Sequence, residues 1–186
     1  MITNKEKTVG GIKLWGNEFS LVPELKPLCR KIAAEGSVLL KNDGVLPFKK
    51  GTKVALFGRN QEGYIKSGTG SGGLVQVEKI PVIWDSFEEN GIFQIDADLV
   101  RIYKEWIADN PYDNGNGWAT EPWVQKEMPV DISLAKRFSE KNDVALIIIG
   151  RTAGESKDNC DTFGSYKLSS EEKDLIKNVS SAFKKT

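Results

Sequence analysis

The sequence predicts an α/β fold: an open, mostly parallel, doubly wound sheet with helices on both faces. Two observations carry this. The segments KVALFG at 53–58 and DVALIIIG at 143–150 are continuous apolar runs, not alternating ones, which suits central strands covered on both faces. Around them lie segments whose apolar residues recur at helical spacing.

The elements follow in order. Residues 1–24 read as a polar N-terminal extension and 25–186 as the α/β domain. A first helix is expected over 25–40, with Leu28, Ile32, Ala33, Val38 and Leu39 close to helical spacing and Pro27 near its start. NDG at 42–44 makes a turn, and LPF at 46–48 leads extended into the first strand. PVIWDSFEEN at 81–90 has the pattern of a short amphipathic helix, stopped at Asn90 and Gly91. IFQI at 92–95 is a third, shorter strand, and 98–108 and 132–141 read as further helices. Ser169, Ser170, Glu171 and Glu172 form an N-cap with an acidic first turn, opening a last helix that runs to about Phe183. A further strand is expected after AFKKT at 182–186, so the sheet reads as incomplete at its C-terminal side. The stretch 110–129 stands apart, with three prolines, two glycines and the aromatics Tyr112, Trp118 and Trp123. A loop this long in a compact domain is usually functional or mobile.

Composition narrows the chemistry. A chain of 186 residues has room for one domain and part of another. Lys plus Arg and Asp plus Glu are 26 each, so no net charge argues for nucleic acid or an anionic membrane as partner. The chain has no histidine, which removes Ser-His-Asp and Cys-His triads and histidine metal sites. Acid–base work must come from carboxylates, Lys, Tyr or Cys. Cys29 and Cys160 are too few for a disulfide framework or a thiolate zinc site. The N-terminus is polar and no apolar run reaches 18 residues, so a cytoplasmic protein is expected. In that setting the sequon at Asn178 reads as accidental.

In open α/β sheets ligands bind beyond the carboxyl ends of the strands, so the loops after Gly58 and Gly150 are the places to look. The run SGTGSGG at 67–73 formally matches GxGxxG through Gly68, Gly70 and Gly73. A dinucleotide site needs a strand just before the motif and a helix just after it. Here the strand ends about ten residues earlier, and LVQV at 74–77 is not helix-like. Lys66 and Ser67 do not follow a glycine, so the phosphate-loop spacing fails too. Two readings stay open: a flexible surface loop, or one whose glycines bring backbone and the Ser71 hydroxyl close to a polar ligand. GRTAGESKD at 150–158 follows the most hydrophobic strand directly, and Glu155 there is well placed for a catalytic carboxylic acid. Asp158 and Asp161 could serve equally on local sequence, and a solvated loop residue is the plain alternative. Residues 110–121 imitate a calcium loop only loosely, with Tyr112 at a ligand position, and no metal is expected.

At AAEGSVLLKNDGVLP, 33–47, the sequence strongly resembles the start of the α/β domain of glycoside hydrolase family 3, the β-glucosidase family. KVALFG, then the loop at 68–72, then 143–155 with Leu168, Ser169 and Glu171, match in the right order. The resemblance covers about residue 25 onward, and 110–129 is its least family-like part. It implies an α/β sandwich that works beside a barrel domain, with a retaining glycosidase site between them. It implies a barrel aspartate as nucleophile, Glu155 as acid/base, and carboxylates about 5–5.5 Å apart. It also implies that Ser71 contacts a β-glucoside or cello-oligosaccharide; Gly70 and Arg151 are further candidates for substrate binding, and Trp118 and Trp123 either stack flat rings on the aglycone sugar or pack the long loop. No cofactor is required. Ser156 stands where a common form of the motif has Gly. No barrel sequence is present, and Met1 lies close ahead of the first motif, which resembles the subgroup with the α/β half first. The chain alone is then expected to lack activity. Oligomeric state, a homo-oligomer included, stays open. The alternative is a noncatalytic sugar-binding or assembly domain on the same fold.

Overall fold

The structure is a computed structural model that describes residues 24–63, 68–74 and 80–186, with the backbone of two short N-terminal strands. It divides into two compact units, 1–46 and 47–186. In the first, β1 (Lys7–Val9) pairs antiparallel with β2 (Ile12–Leu14), Lys7 opposite Leu14. Helix α1 (Leu25–Gly36) stops four residues short of the expected end. Ser37 leaves the helix in an extended conformation and its hydroxyl donates back to the Ala33 carbonyl at 2.8 Å. The following turn is held by Asn42, whose Oδ1 accepts from the Gly44 and Leu46 N–H groups, each at 3.1 Å. An asparagine side chain that mimics backbone in this way is a common turn device.

The second unit holds a three-stranded, open, all-parallel sheet made of β3 (Lys53–Phe57), β4 (Gln94–Ile95) and β5 (Val144–Ile147), with β3 in the middle. Val54 to Phe57 lie opposite Val144 to Ile147 in unbroken register. Asp143 locks that register, its carboxylate accepting the Lys53 N–H at 2.8 Å while its own N–H donates to the Lys53 carbonyl at 2.9 Å. Val54, Ala55, Leu56 and Phe57 are all fully buried, as a continuous apolar run demands. Burial of Leu56 and Phe57 contributes about 2 kcal/mol each. On the outer edge of β5, the Ala145 N–H donates to the Lys185 carbonyl at 3.0 Å. The chain tail therefore lies on the edge where a further strand is expected.

Helices α3 (Ala97–Asp109), α4 (Ile132–Ser139) and α5 (Ser170–Ala182) supply the main core. Leu99 and Tyr103, Ala135 and Phe138, Leu175 and Val179 converge on Ala55, Phe57 and Ala145. The Phe57 ring meets Phe138 and Phe183 edge-on, at 6.5 and 5.8 Å. Helix α2 (Ile83–Asn90) packs at β4 and ends at Gly91 in the left-handed region, where glycine is unstrained. Three helices open on a polar side-chain cap: Asp96 for α3, Asp131 for α4 and Ser169 for α5. Asp96 also accepts from Lys141 and Asn142 and so ties the start of α3 to the end of α4. Lys66, Ser67 and the segment 75–77, which the sequence reading used against a nucleotide loop, lie outside the described residues. Among the described residues no helix is long and apolar enough to cross a membrane.

Candidate functional site

The parallel strands β3 and β5 end side by side, and the two loops that leave them interlock. After β3 the chain passes through Gly58 into a single 3-10 turn, Arg59–Gln61. Asn60 in that turn sits so close to Gly150 that a Cβ on Gly150 would lie 2.7 Å from its Oδ1. The Gly-rich loop then reaches across to the loop after β5. Thr69, which is buried, pairs with Gly154 as an isolated parallel bridge. Its N–H donates to the Ala153 carbonyl at 3.0 Å and its hydroxyl to the Glu155 carbonyl at 3.1 Å.

Two residues further on, the Ser71 N–H donates to Glu155 Oε2 at 2.9 Å. The carboxylate is thus met by backbone at the start of a short 3-10 turn, Gly70–Leu74. The Ser71 N–H, and after it the Ser71 hydroxyl, hold the Glu155 carboxyl below the ordinary glutamate range by stabilising its charge. The turn that presents Glu155 closes with the Lys157 N–H donating to the Gly154 carbonyl at 3.0 Å. Ser156 stands in it at φ 58°, a conformation that glycine adopts freely, which is the physical sense of the glycine found there in the common motif.

The structure therefore brings Gly70, Ser71 and Glu155 together. Trp123 joins them through backbone, its carbonyl accepting the Thr152 N–H at 2.8 Å, and the Lys157 ammonium lies 5.0 Å from its ring centroid. The Trp123 indole Nε1 is buried and finds no hydrogen-bond partner among the described residues. Trp118 is 56% exposed in the turn 117–120, and no described contact links it to Glu155. Arg151 is engaged elsewhere. Its Nη1 and Nη2 grip both oxygens of the buried Glu172, with Nη2 to Oε2 at 2.7 Å, and its Nε donates to the Ser165 carbonyl at 2.6 Å. Glu172 is in turn the N3 residue of the α5 capping box and accepts the Ser169 N–H at 2.8 Å. Arg151 thus anchors the start of the Glu155 loop to the start of α5. Asp158 is exposed, and Asp161 pairs with Lys167 at 2.9 Å.

The long 110–129 segment is ordered by its own polar staples. The buried Gln125 side chain exchanges two hydrogen bonds with the Asp113 backbone, at 2.8 and 3.0 Å. Tyr112 and Thr152 share a hydroxyl–hydroxyl bond of 3.2 Å, fastening the segment to the Glu155 loop. Its far end holds a residue with no sequence signal of its own. Glu127 is only 5% exposed; its Oε1 accepts from the N–H groups of Arg59 and Met128 at 3.0 and 2.8 Å. The Arg59 guanidinium donates to the carbonyls of Lys126 and Asn110, at 2.7 and 3.1 Å, and lies 5.5 Å from the Trp106 ring centroid. Both ends of the long segment are thereby braced on the turn after β3. Burial pushes the Glu127 carboxyl up to about 7, against the opposing effect of those two N–H groups.

Residues 37–186 match the sequence profile of the glycosyl hydrolase family 3 C-terminal domain. The chain belongs to this family. This family 3 sequence is 49% identical over 155 residues to a β-glucosidase of Ruminococcus albus, covering 83% of the chain and 16% of that relative. It is 36% identical over 160 residues to β-glucosidase A of Butyrivibrio fibrisolvens, covering 81% and 18%. Among solved structures, a β-glucosidase from Paenibacillus barengoltzii superposes with a TM-score of 0.83 at 44% identity, over 87% of this chain and 18% of that one. β-Glucosidase 3B from Thermotoga neapolitana, in complex with α-D-glucose, gives 0.73 at 32% identity, over 87% and 23%. This family 3 chain therefore spans less than a quarter of the length of these relatives, and its fold is that of their α/β portion.

Proposed function

We propose that this domain supplies the acid/base carboxylate of a retaining β-glucosidase, and that Glu155 is that residue. The observation that carries the reading is the placement of Glu155. It stands at the tip of the loop after β5, accessible to solvent, with one carboxylate oxygen held at 2.9 Å by the Ser71 N–H. A glycosidase acid/base must reach the glycosidic oxygen from a fixed direction, and a residue oriented from an adjacent loop meets that need. In the first half-reaction Glu155 gives its proton to the leaving oxygen as the glycosyl–enzyme bond forms on a nucleophilic aspartate of a barrel domain. In the second it takes a proton from water, whose oxygen attacks the anomeric carbon and releases that aspartate. Terminal β-D-glucosyl residues of β-glucosides or cello-oligosaccharides are the proposed substrates, with the Ser71 hydroxyl and the Trp123 indole as the proposed sugar contacts. The names of the relatives support the substrate class.

The enzyme that carries this domain provides the test. Glu155→Gln is expected to slow hydrolysis of glucosides with poor leaving groups by about 10²–10⁴-fold, and of activated aryl glucosides much less. Azide should restore turnover to Glu155→Ala with an activated substrate. Equal losses on both substrate types remove Glu155 from the acid role. The chain by itself, lacking the nucleophile, should release no aglycone.

A further inference from the structure

The Gly-rich loop reads from sequence as a flexible loop or a ligand-facing loop. In the structure it lies against the loop that carries Glu155, and Gly70 and Ser71 meet Glu155 itself. A Cβ built on Gly70 would lie 2.5 Å from Glu155 Cβ and 2.7 Å from Glu155 Oε2. Gly70 also has φ 71°, which places its N–H and carbonyl so that the next N–H, that of Ser71, faces the carboxylate. Beneath this contact, buried Thr69 is fixed to the Glu155 loop by two hydrogen bonds and one bridge.

We infer that Gly70 and Ser71 are positioning residues for Glu155: the bare Cα of Gly70 makes the slot for its side chain, and the Ser71 N–H fixes where Oε2 points. This adds to the sugar-contact role of Ser71 a second one, exercised through the carboxylate. The catalytic meaning of the slot rests on the function proposed for Glu155; the slot itself does not. Among the described residues few other charged groups are free to act on Glu155, the exposed Asp158 being the nearest in sequence. Arg151 is consumed by Glu172, the Lys157 ammonium lies over the Trp123 ring, Asp161 is paired with Lys167, and 68–74 carries no charged side chain. The Ser71 donors are then the main cause of its lowered titration.

Carboxylate-carbon NMR on the 186-residue chain tests the slot, with circular dichroism to verify the fold. Glu155 is expected to titrate below an ordinary exposed glutamate. Ser71→Ala, which removes the hydroxyl and keeps the N–H, should move it part of the way up. Gly70→Ala, whose methyl displaces the carboxylate, should move it further. If Gly70→Ala does not fold, the native titration still decides. An ordinary titration in the native chain, or one unmoved in a folded Gly70→Ala chain, overturns the inference. In the enzyme carrying the domain, Gly70→Ala should cost about 10²-fold in kcat/KM on poor leaving groups. The basic limb of the pH profile should move to higher pH in Ser71→Ala, as the NMR titration does. A shift seen by NMR but absent from that limb would leave the slot standing and remove Glu155 as the acid.

Discussion

Replacement of Glu127 by Gln should flatten a specific part of the stability–pH curve. Glu127 titrates near 7 in the folded chain because burial disfavours its charge, while an ordinary glutamate titrates at 4.5. Between those values the folded state keeps a proton that the unfolded state has lost. Native stability from this group is therefore fully present below about 4.5 and falls as pH rises through 7. The gap converts to about 3 kcal/mol in full, of which about 2.5 kcal/mol falls between pH 5 and 8. The geometry fits a protonated group: the Arg59 N–H is shared between Oε1 and Oε2, at 3.0 and 3.1 Å, while the Met128 N–H reaches Oε1 alone, so Oε2 faces fewer donors and is the oxygen to carry the proton. Urea unfolding of native and Glu127→Gln chains, followed by tryptophan fluorescence at pH 5, 6, 7 and 8, isolates the effect as a difference. Every other titrating group cancels to first order. The native chain should lose about 2.5 kcal/mol relative to the variant across that range. A difference that stays constant from pH 5 to 8 would refute the buried, proton-holding assignment.

Two further perturbations probe the frame around the site. Arg151→Ala leaves the carboxylate of Glu172, 2% exposed, without its counter-charge, and should cost about 3–5 kcal/mol in urea unfolding; a loss under about 1 kcal/mol would show that Glu172 finds water instead. Gly58→Ala places a methyl 2.2 Å from the Ile148 carbonyl oxygen at φ 97°, and should cost more than about 2 kcal/mol by the same measure, because backbone on both sides must shift; an unchanged midpoint would contradict the close passage of the two strand ends.

What the residues disclose without coordinates follows physical lines. β3 and β5 are legible because a strand buried on both faces must be apolar at every position. The α5 start is legible because Ser169 and Glu172 sit at capping-box spacing. Helix α1 shows the limit of periodicity: Val38 and Leu39 keep the helical spacing, yet Gly36 and Ser37 end the helix before them. The Gly10–Gly11 pair is a hairpin signal, but strands of three residues are too short to display alternation. At the site, Glu155 and the glycine loop each stand out locally. Their union does not, since 84 residues separate Ser71 from Glu155 and no local preference encodes that contact. Arg151 illustrates the converse. Its place after β5 points toward the ligand, while the bidentate fit to Glu172 turns it to the scaffold. Glu127 has no sequence signal at all, because a carboxylate in a polar, proline-bearing segment looks solvated until its burial is seen.

Glu127 and Glu155 are the same residue type in one small domain, and they are driven in opposite directions. Burial raises the first; donors from Ser71 lower the second while it remains open to solvent. A general acid needs its proton at working pH, whereas the base of the second half-reaction needs its charge. The surface of the domain around Glu155 favours only the charged form. On the proposed role, the protonated form requires that Glu155 lose water on its open side, as Glu127 has, when sugar and the rest of the active site close over it. The Ser71 N–H can accompany both states, because Oε2 accepts from it in the carboxylate and can still do so when the proton sits on Oε1. The acid's proton and the base's charge would then alternate at one oxygen while the other stays fixed on the glycine loop.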